Sequence, residues 1–271
     1  MGRAWLPVMT ALACVLGSAL PAAAAGPAGP VPVRCAAPTG PYQGQLEIKL
    51  GLRNDGVQSA TDCAAIRKLQ RRLGVRPADG KATLKTYRLL LVDEARRNPN
   101  ARKRCPVRRT SVTCVDLGRQ ILWVQRGAKV VFGPVPMRSG RNGLETRRGW
   151  HRVYSRHRTF FSTLYDGAPM PYAQFFSGGQ AFHGTYKDLF TSGSGGCVNL
   201  YVKDAARLWK TIGYGSRVYV WGTKPGTKMR SSATSDEPGF MEDVLVADGF
   251  GGARIEPRWT ADLPVGPAGR E

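Results

Sequence analysis

The chain reads AFHGT at residues 181–185 and SGGCVNL at residues 194–200, which places Cys197 fourteen residues after His183, one of only three histidines. A thiol is an effective nucleophile only as thiolate, and because the pKa of an ordinary cysteine is about 8.5, a neighbouring imidazole is the usual activator. Small residues before Cys197 allow a tight backbone bend that leaves amide groups free to face a developing oxyanion. The spacing fits a buried structural cysteine beside an unrelated histidine equally well.

The first 25 residues have the composition of a secretory signal peptide. Arg3 supplies a positive charge, residues 4–20 form an uncharged apolar run, and an A-x-A cleavage site follows at residues 22–25. The run is too short and too rich in helix breakers to span a membrane comfortably. We therefore predict a signal peptide over residues 1–25 that removes Cys14, and a secreted mature protein without a transmembrane helix.

Export favours disulfides, and the mature chain then holds an odd number of cysteines. Cys197 stands alone in the second half, whereas Cys35, Cys63, Cys105 and Cys114 lie in the first. Four cysteines allow three pairings, of which Cys105 with Cys114 and Cys35 with Cys63 is a plausible one. Two bridges would leave Cys197 as a free thiol, and this is the strongest compositional support for a nucleophile.

The charge of the chain is large and uneven. The 271 residues carry a formal net charge of +21, although residues 235–271 hold eight acids against three arginines. Such a protein is attracted to polyanions, and teichoic acids or anionic lipids are as eligible as nucleic acid. No zinc-finger, homeodomain or RNP-like pattern accompanies the charge, so we expect wall polyanions as possible partners and no nucleic acid.

Residues 35–104 have a helical period. Apolar residues recur on one face over residues 62–73, where Gly74 ends the pattern, and again over residues 83–97. A basic linker at residues 98–111 separates this segment from the rest and suggests two independently folded units. The segment is predicted to be a small helical module.

Residues 111–222 have a mainly β period. Strands are predicted at residues 111–117, 120–125, 130–132, 150–154, 159–162, 172–176 and 217–221. One helix is predicted at residues 203–212. Short strands with glycine turns and one helix indicate an α+β fold with a sandwich or barrel of strands. The tail, residues 223–271, lacks a sustained period and is predicted to be flexible.

Both segments resemble known families. Residues 65–80 resemble the helical peptidoglycan-binding modules of wall enzymes, although a disulfide-stapled helical cap without a ligand would have the same pattern. Residues 111–222 resemble a YkuD-like L,D-transpeptidase catalytic domain. That resemblance rests on a strand pair and on the motifs FGPVPMRSG at 132–140, PMPY at 169–172, AFHG at 181–184 and SGGCVN at 194–199.

The resemblance implies a wall-associated acyltransferase with a cysteine nucleophile. Cys197 would attack the amide between the third and fourth residues of a peptidoglycan tetrapeptide stem and release D-alanine, with His183 as base. An amine of a second stem, or water, would resolve the thioester. Backbone amides of Gly196 and Cys197 are the candidate oxyanion hole. The family usually has a second histidine where this chain has Gly195, which affects loop rigidity, substrate preference and rate rather than reaction class.

Further residues are expected near the substrate. The pocket-shaping candidates are Tyr172, Gly184, Ser194 and Asn199, each with a structural role as the alternative. Arg138 would pair with a stem carboxylate, although an exposed hairpin arginine is commoner. His151 and His157 lie six residues apart, as on one side of a strand, but without further ligands nearby we expect neither a metal nor another cofactor.

Two other classes of function stay open. A cysteine peptidase of the NlpC/P60 type would act on the same stems, but it places the cysteine before the histidine. A non-catalytic wall-binding protein would use the basic N-terminal segment, with Gly195 marking a decayed site. The balance between transpeptidase and L,D-carboxypeptidase is also open.

Overall fold

The computed structural model describes residues 1–2, 35–191 and 193–227, together with the backbone of residues 242–247 and 253–258. The predicted signal peptide with Cys14, and most of the predicted tail, lie outside the described residues. The elements are α1 Gln43–Leu50, α2 Ala60–Leu73, α3 Leu84–Ala95, β1 Ser111–Asp116, β2 Ile121–Arg126, β3 Lys129–Pro136, β4 Gly149–Arg152, β5 Ser155–His157, β6 Ala173–Ser177, β7 Gln180–Thr185, β8 Val198–Tyr201, α4 Val202–Thr211, β9 Arg217–Trp221, β10 Glu242–Ala247 and β11 Ala253–Arg258.

The first three helices pack around a small apolar cluster. It contains Leu46 of α1, Ile66 and Leu69 of α2, and Leu90 of α3. A capping box begins α2, because the Ser59 side chain accepts from the Asp62 amide while the Asp62 carboxylate accepts from the Ser59 amide. Helix α1 was not predicted from the sequence. Helices α2 and α3 are confirmed, and their ends lie within two residues of the predicted ones.

Two sheets and helix α4 form the segment from Ser111 to Trp221, so the predicted α+β class is confirmed. The five-stranded sheet has the order β3-β2-β1-β9-β4, in which β1 and β9 are parallel. The four-stranded sheet has the order β5-β6-β7-β8, in which β7 and β8 are parallel. Helix α4 packs on the main core, where its Leu208 joins Leu122, Phe182 and Val218 from the two sheets.

Some predicted strands differ from the structure. The segment 159–162 is not a strand and contributes only an isolated bridge between Phe161 and Pro169. Strands β5, β7 and β8 were not predicted. Strands β10 and β11 pair antiparallel within the segment predicted as a tail.

Helix α3 and the five-stranded sheet share a second apolar cluster. Val92 and Ala95 of the helix pack with Ile121 and Trp123 of β2, and the Cys105–Cys114 disulfide belongs to the same cluster. The described residues from Cys35 to Thr227 belong to one compact unit, and the domain boundary between residues 104 and 111 stays a prediction. None of the helices in the described residues is long and apolar enough to cross a membrane.

Both disulfides have the pairing that we considered plausible. Cys35 and Cys63 are bridged with Cα atoms 5.5 Å apart, which ties the start of the helical segment to α2. Cys105 and Cys114 are bridged with Cα atoms 5.8 Å apart. Among the described residues Cys197 is the free cysteine.

Candidate active site

One cavity of about 1170 Å³ opens where the two sheets, the loop after β3 and the loop before β6 meet. Cys197 and His183 both line it. Its outer wall comes from residues 160–170, and its floor includes Arg138 and Asn199. The two residues predicted to carry the chemistry therefore share one concave site.

Cys197 lies at the apolar end of this cavity. Its side chain packs against a cluster that includes Phe160, Met170 and Phe175. The Ala181 amide donates to the Cys197 Sγ at 3.4 Å. Burial raises the pKa of the Cys197 thiol, and the Ala181 amide offsets this only in part. The resting thiol is therefore protonated at neutral pH.

His183 lies on β7 directly opposite Asn199 of β8 in the parallel register. Its Nδ1 lies 2.8 Å from the Gly184 carbonyl, which can only accept, so Nδ1 carries the proton. Its Nε2 then presents a lone pair, and the Asn199 amide nitrogen donates to it at 2.6 Å. Burial, reinforced by the positive charge of Arg138, lowers the pKa of His183 to about 4. The imidazole is therefore neutral in the resting site.

Arg138 fixes the orientation of Asn199. The guanidinium donates from Nε at 3.1 Å and from Nη2 at 2.8 Å to the Asn199 Oδ1. Because a guanidinium has no acceptor, the amide nitrogen must point the other way, toward His183. The Nη1 of Arg138 donates to the Asp188 carbonyl at 2.9 Å and to the Thr191 hydroxyl at 2.8 Å. Arg138 is thus buried, not an exposed hairpin residue, and its contact with a stem carboxylate stays a prediction.

The turn before Cys197 is held by hydrogen bonds of its own. The Gly196 amide donates to the Ser194 hydroxyl at 3.1 Å, and the Thr146 hydroxyl donates to the Gly196 carbonyl at 2.7 Å. The φ of Gly196 is 114°, in the region that favours glycine, and the role predicted for its amide in the oxyanion hole stays a prediction. No hydrogen bond from the Cys197 amide is found within the described residues, whereas the Gly196 amide is engaged by Ser194.

Comparison with known proteins gives a family for the chain. The family model of the L,D-transpeptidase catalytic domain, YkuD, matches residues 110–220. A solved L,D-transpeptidase from Stackebrandtia nassauensis is 33% identical to this chain, with a TM-score of 0.53, and the match covers 71% of this chain and 100% of that one.

The chain belongs to the L,D-transpeptidase family. A second solved structure, an L,D-transpeptidase fragment from Xylanimonas cellulosilytica, is 26% identical over 72% of this chain and 100% of that one, with a TM-score of 0.39. No curated protein sequence gives a significant match.

Two predicted pocket residues of this L,D-transpeptidase lie behind the cavity rather than in its lining. Tyr172 packs against the main core, with its ring 6.2 Å from that of Trp209. Gly184 is confined by its neighbours, because a β-carbon there would lie 3.0 Å from Val202 and 3.1 Å from Pro171. Any contact of these two residues with a substrate stays a prediction.

Tyr165 occupies the space beside Gly195. A β-carbon built on Gly195 would overlap the phenolic oxygen of Tyr165, which reaches in from the outer wall. The position where the family usually has a histidine is therefore covered by an aromatic side chain from another loop. Sequence reasoning missed Tyr165, as it missed Thr146, because single residues in irregular loops give no periodic signal.

The two other histidines are separated by the fold. His151 is on β4 of the five-stranded sheet, and His157 is on β5 of the four-stranded sheet, so the expectation that they share one strand is wrong. His151 packs against Phe176, whereas His157 bonds to the Ser155 hydroxyl at 2.8 Å. Within the part of the chain that the structure describes, no group of three His, Cys, Asp or Glu side chains could hold a metal ion.

Proposed function

We propose that this protein is an exported L,D-transpeptidase that cross-links peptidoglycan stems through a thioester on Cys197, with release of D-alanine. The observation that carries the proposal is the shared cavity of Cys197, a free thiol, and His183, an imidazole whose Nε2 lone pair is fixed by the bond from Nδ1 to Gly184. That arrangement supplies a nucleophile and a base to one bound substrate.

The reaction proceeds in two balanced steps. In the first, the thiol proton moves to the His183 Nε2 while Sγ bonds to the carbonyl carbon of the third stem residue. The bond to the D-alanine nitrogen then breaks, and the proton goes from Nε2 to the leaving amine. In the second, the side-chain amine of another stem attacks the thioester, loses its proton to His183, and the thiol is regenerated as Cys197 leaves. Water in place of the amine gives hydrolysis instead.

The resting pair is neutral rather than ionic. Burial disfavours both charged forms, since it raises the pKa of Cys197 and lowers that of His183. We therefore assign general-base deprotonation during attack, not a thiolate stored beforehand. The Nε2 lone pair is engaged by Asn199 at 2.6 Å, so this bond must lengthen when the thiol proton arrives.

The backbone amide of Cys197 is the donor that we assign to the oxyanion. Its candidate partner, the Gly196 amide, donates to Ser194 and would have to break that bond to take part. Ser194 accordingly acts on the shape of the turn, through its bonds to the Gly196 amide and the Cys197 carbonyl.

Secretion, wall association and attraction to wall polyanions belong to the same proposal. They are supported by the signal-like first 25 residues and by the formal net charge of +21. A wall-binding role for the helices before residue 104 is supported only by the resemblance of their sequence.

Product analysis tests the function. Tetrapeptide muropeptides incubated with the protein should yield D-alanine and a dimer linked from the third residue of one stem to the third residue of another. D-alanine without dimer would indicate a carboxypeptidase, and cleavage at another bond would indicate a stem peptidase. Absence of any product, with retention on purified wall, would indicate a binding protein and contradict the proposal.

A further inference from the structure

Arg88 is a buried cation that links the helical segment to the back of the active site. It lies on α3, yet only 5% of it is exposed. Its guanidinium reaches out of the helical cluster and donates to the Met137 carbonyl, to the Leu189 carbonyl at 3.3 Å, and to the Gln120 side-chain oxygen at 3.4 Å. The Phe190 ring lies 5.5 Å below the guanidinium carbon.

These acceptors are neutral and come from three separate segments. Met137 follows β3, Leu189 belongs to the loop between β7 and β8, and Gln120 ends the turn between β1 and β2. A buried charge costs several kcal/mol unless its hydrogen bonds are made, so each contact opposes separation of these segments. Burial lowers the pKa of Arg88 to about 10, which leaves the guanidinium charged at neutral pH.

The same segments hold Arg138. Met137 precedes Arg138 directly, and Leu189 directly follows Asp188, whose carbonyl accepts from Arg138 at 2.9 Å. Arg138 in turn sets the orientation of Asn199, and Asn199 donates to His183. Helix α3 is therefore linked to the base by hydrogen bonds of Arg88 and Arg138 that meet on adjacent backbone residues.

We propose that Arg88 is a positioning residue for the L,D-transpeptidase reaction, through which helix α3 holds Arg138 and thereby the Asn199 amide against His183. The inference rests on the proposed function of His183 and Cys197. It implies that the helices before residue 104 are required for catalysis itself, whether or not they bind the wall.

Arg88 is not the only contact that docks α3. Val92 and Ala95, one turn and two turns further along, pack against Ile121 and Trp123 and keep the helix on the sheet. Substitution of Arg88 by methionine, which has a similar length and no charge, should therefore remove the hydrogen bonds and leave the helix in place. Arg88→Lys keeps the charge but loses the planar fork that spans three acceptors.

The experiment compares Arg88→Met, Arg88→Lys and a matched control, Arg96→Met, in the full chain. Arg96 is the C-cap that follows α3, its side chain is 71% exposed, and its ion pair with Asp93 is 3.7 Å long. D-alanine release from tetrapeptide muropeptides is measured against substrate concentration and pH, together with thermal unfolding.

We expect Arg88→Met to lower kcat by about 10- to 100-fold with little change in KM, because a small misplacement of the base affects the reaction more than binding. Arg88→Lys should fall between Arg88→Met and the parent, and Arg96→Met should match the parent. The acid limb of kcat/KM should shift to higher pH than the His183 pKa of about 4 sets in the parent. The reason is that Arg138, whose positive charge lowers this pKa, would no longer be held close to the imidazole.

Folded Arg88→Met with the parent's kcat and acid limb would overturn the inference. If Arg88→Met does not fold, Arg88→Lys decides, and an unchanged kcat and pH profile in that folded variant would overturn it. Failure of the proposed function is recognised separately, since the parent and Arg96→Met would then release no D-alanine at all.

Discussion

The floor and the outer wall of the cavity differ in burial and in hydrogen bonding. The floor, made by His183, Asn199 and Arg138, is buried and joined by hydrogen bonds of 2.6 to 3.1 Å. The outer wall, residues 160–170, exposes large apolar side chains, among them Leu164 at 79% and Tyr165 at 44%. The floor therefore fixes the geometry of the chemistry, whereas the wall is suited to adjust to what enters.

The floor and the wall should also differ in how they tolerate substitutions. A substitution in the floor leaves a buried polar group without its hydrogen-bond partner. The loss of stability is about 1–3 kcal/mol, and it is larger when the group is charged. A substitution at an exposed wall residue such as Leu164 changes mainly its contacts with solvent. We therefore expect floor variants to alter kcat and wall variants to alter KM.

The largest effect should come from the nucleophile. Incubation with a carbapenem should leave one covalent adduct on the parent protein and none on Cys197→Ser, because Cys197 is the free cysteine among the described residues. Intact-protein mass spectrometry measures the adduct. Equal labelling of both proteins would show that another residue is acylated.

The next largest effect should come from the floor. Asn199→Asp keeps the contact with Arg138 but places a carboxylate against the His183 Nε2, in place of an N–H donor. An adjacent negative charge raises the pKa of a histidine, so a larger fraction of the imidazole would be protonated on the acid side and unable to act as base.

We expect the acid limb of the pH profile to rise from near 4 by more than one unit in Asn199→Asp, so that kcat on that limb falls by about tenfold or more. The measurement is D-alanine release between acid and neutral pH. An unchanged profile would mean that Asn199 does not face the base during the reaction.

A smaller effect, visible only as a function of pH, tests whether the resting pair is neutral. The thiol has a raised pKa and the imidazole a lowered one, so alkylation of Cys197 by iodoacetamide should rise about tenfold per pH unit through neutrality. A stored thiolate–imidazolium pair would instead give a plateau in this range. Rates of alkylation followed by mass spectrometry distinguish the two, with Cys197→Ser as the blank.

The two residues that share the cavity could be picked out from the sequence because both lie in short motifs. Cys197 and His183 stand in glycine-rich stretches, and an odd cysteine count isolates Cys197. The strands that carry these motifs were not predicted. β7 has Gly184 in its interior and β8 has only four residues, so neither shows a usable period of two.

The supporting contacts were beyond sequence reasoning for a different reason. Arg88 looks like any solvated arginine on a helix, and only the tertiary fold buries it against Met137 and Leu189. The linker composition likewise suggested two independent units, whereas α3 packs on the sheet through Val92 and Ala95. Long-range packing decides both, and a local pattern does not encode it.

The smallest expected effect concerns the wall, at the contact between Tyr165 and Gly195. A side chain at residue 195 would meet the far end of the Tyr165 side chain, which can swing out because it belongs to an exposed loop. We expect Gly195→Ala and Tyr165→Ala each to change KM by about two- to fivefold with kcat nearly unchanged. The double variant should be no worse than either single one, because both changes disrupt the same contact.

The double-mutant cycle has an internal control in Tyr214→Ala, an equally bulky loss from an exposed tyrosine that does not line the cavity. Its KM should equal that of the parent, and its effect should add to that of Gly195→Ala without coupling. If the Gly195 and Tyr165 effects also add independently, the two residues do not act as one contact during the reaction. A drop in kcat in Tyr165→Ala would go further, because it would place the phenol among the groups of the floor and remove the division between floor and wall.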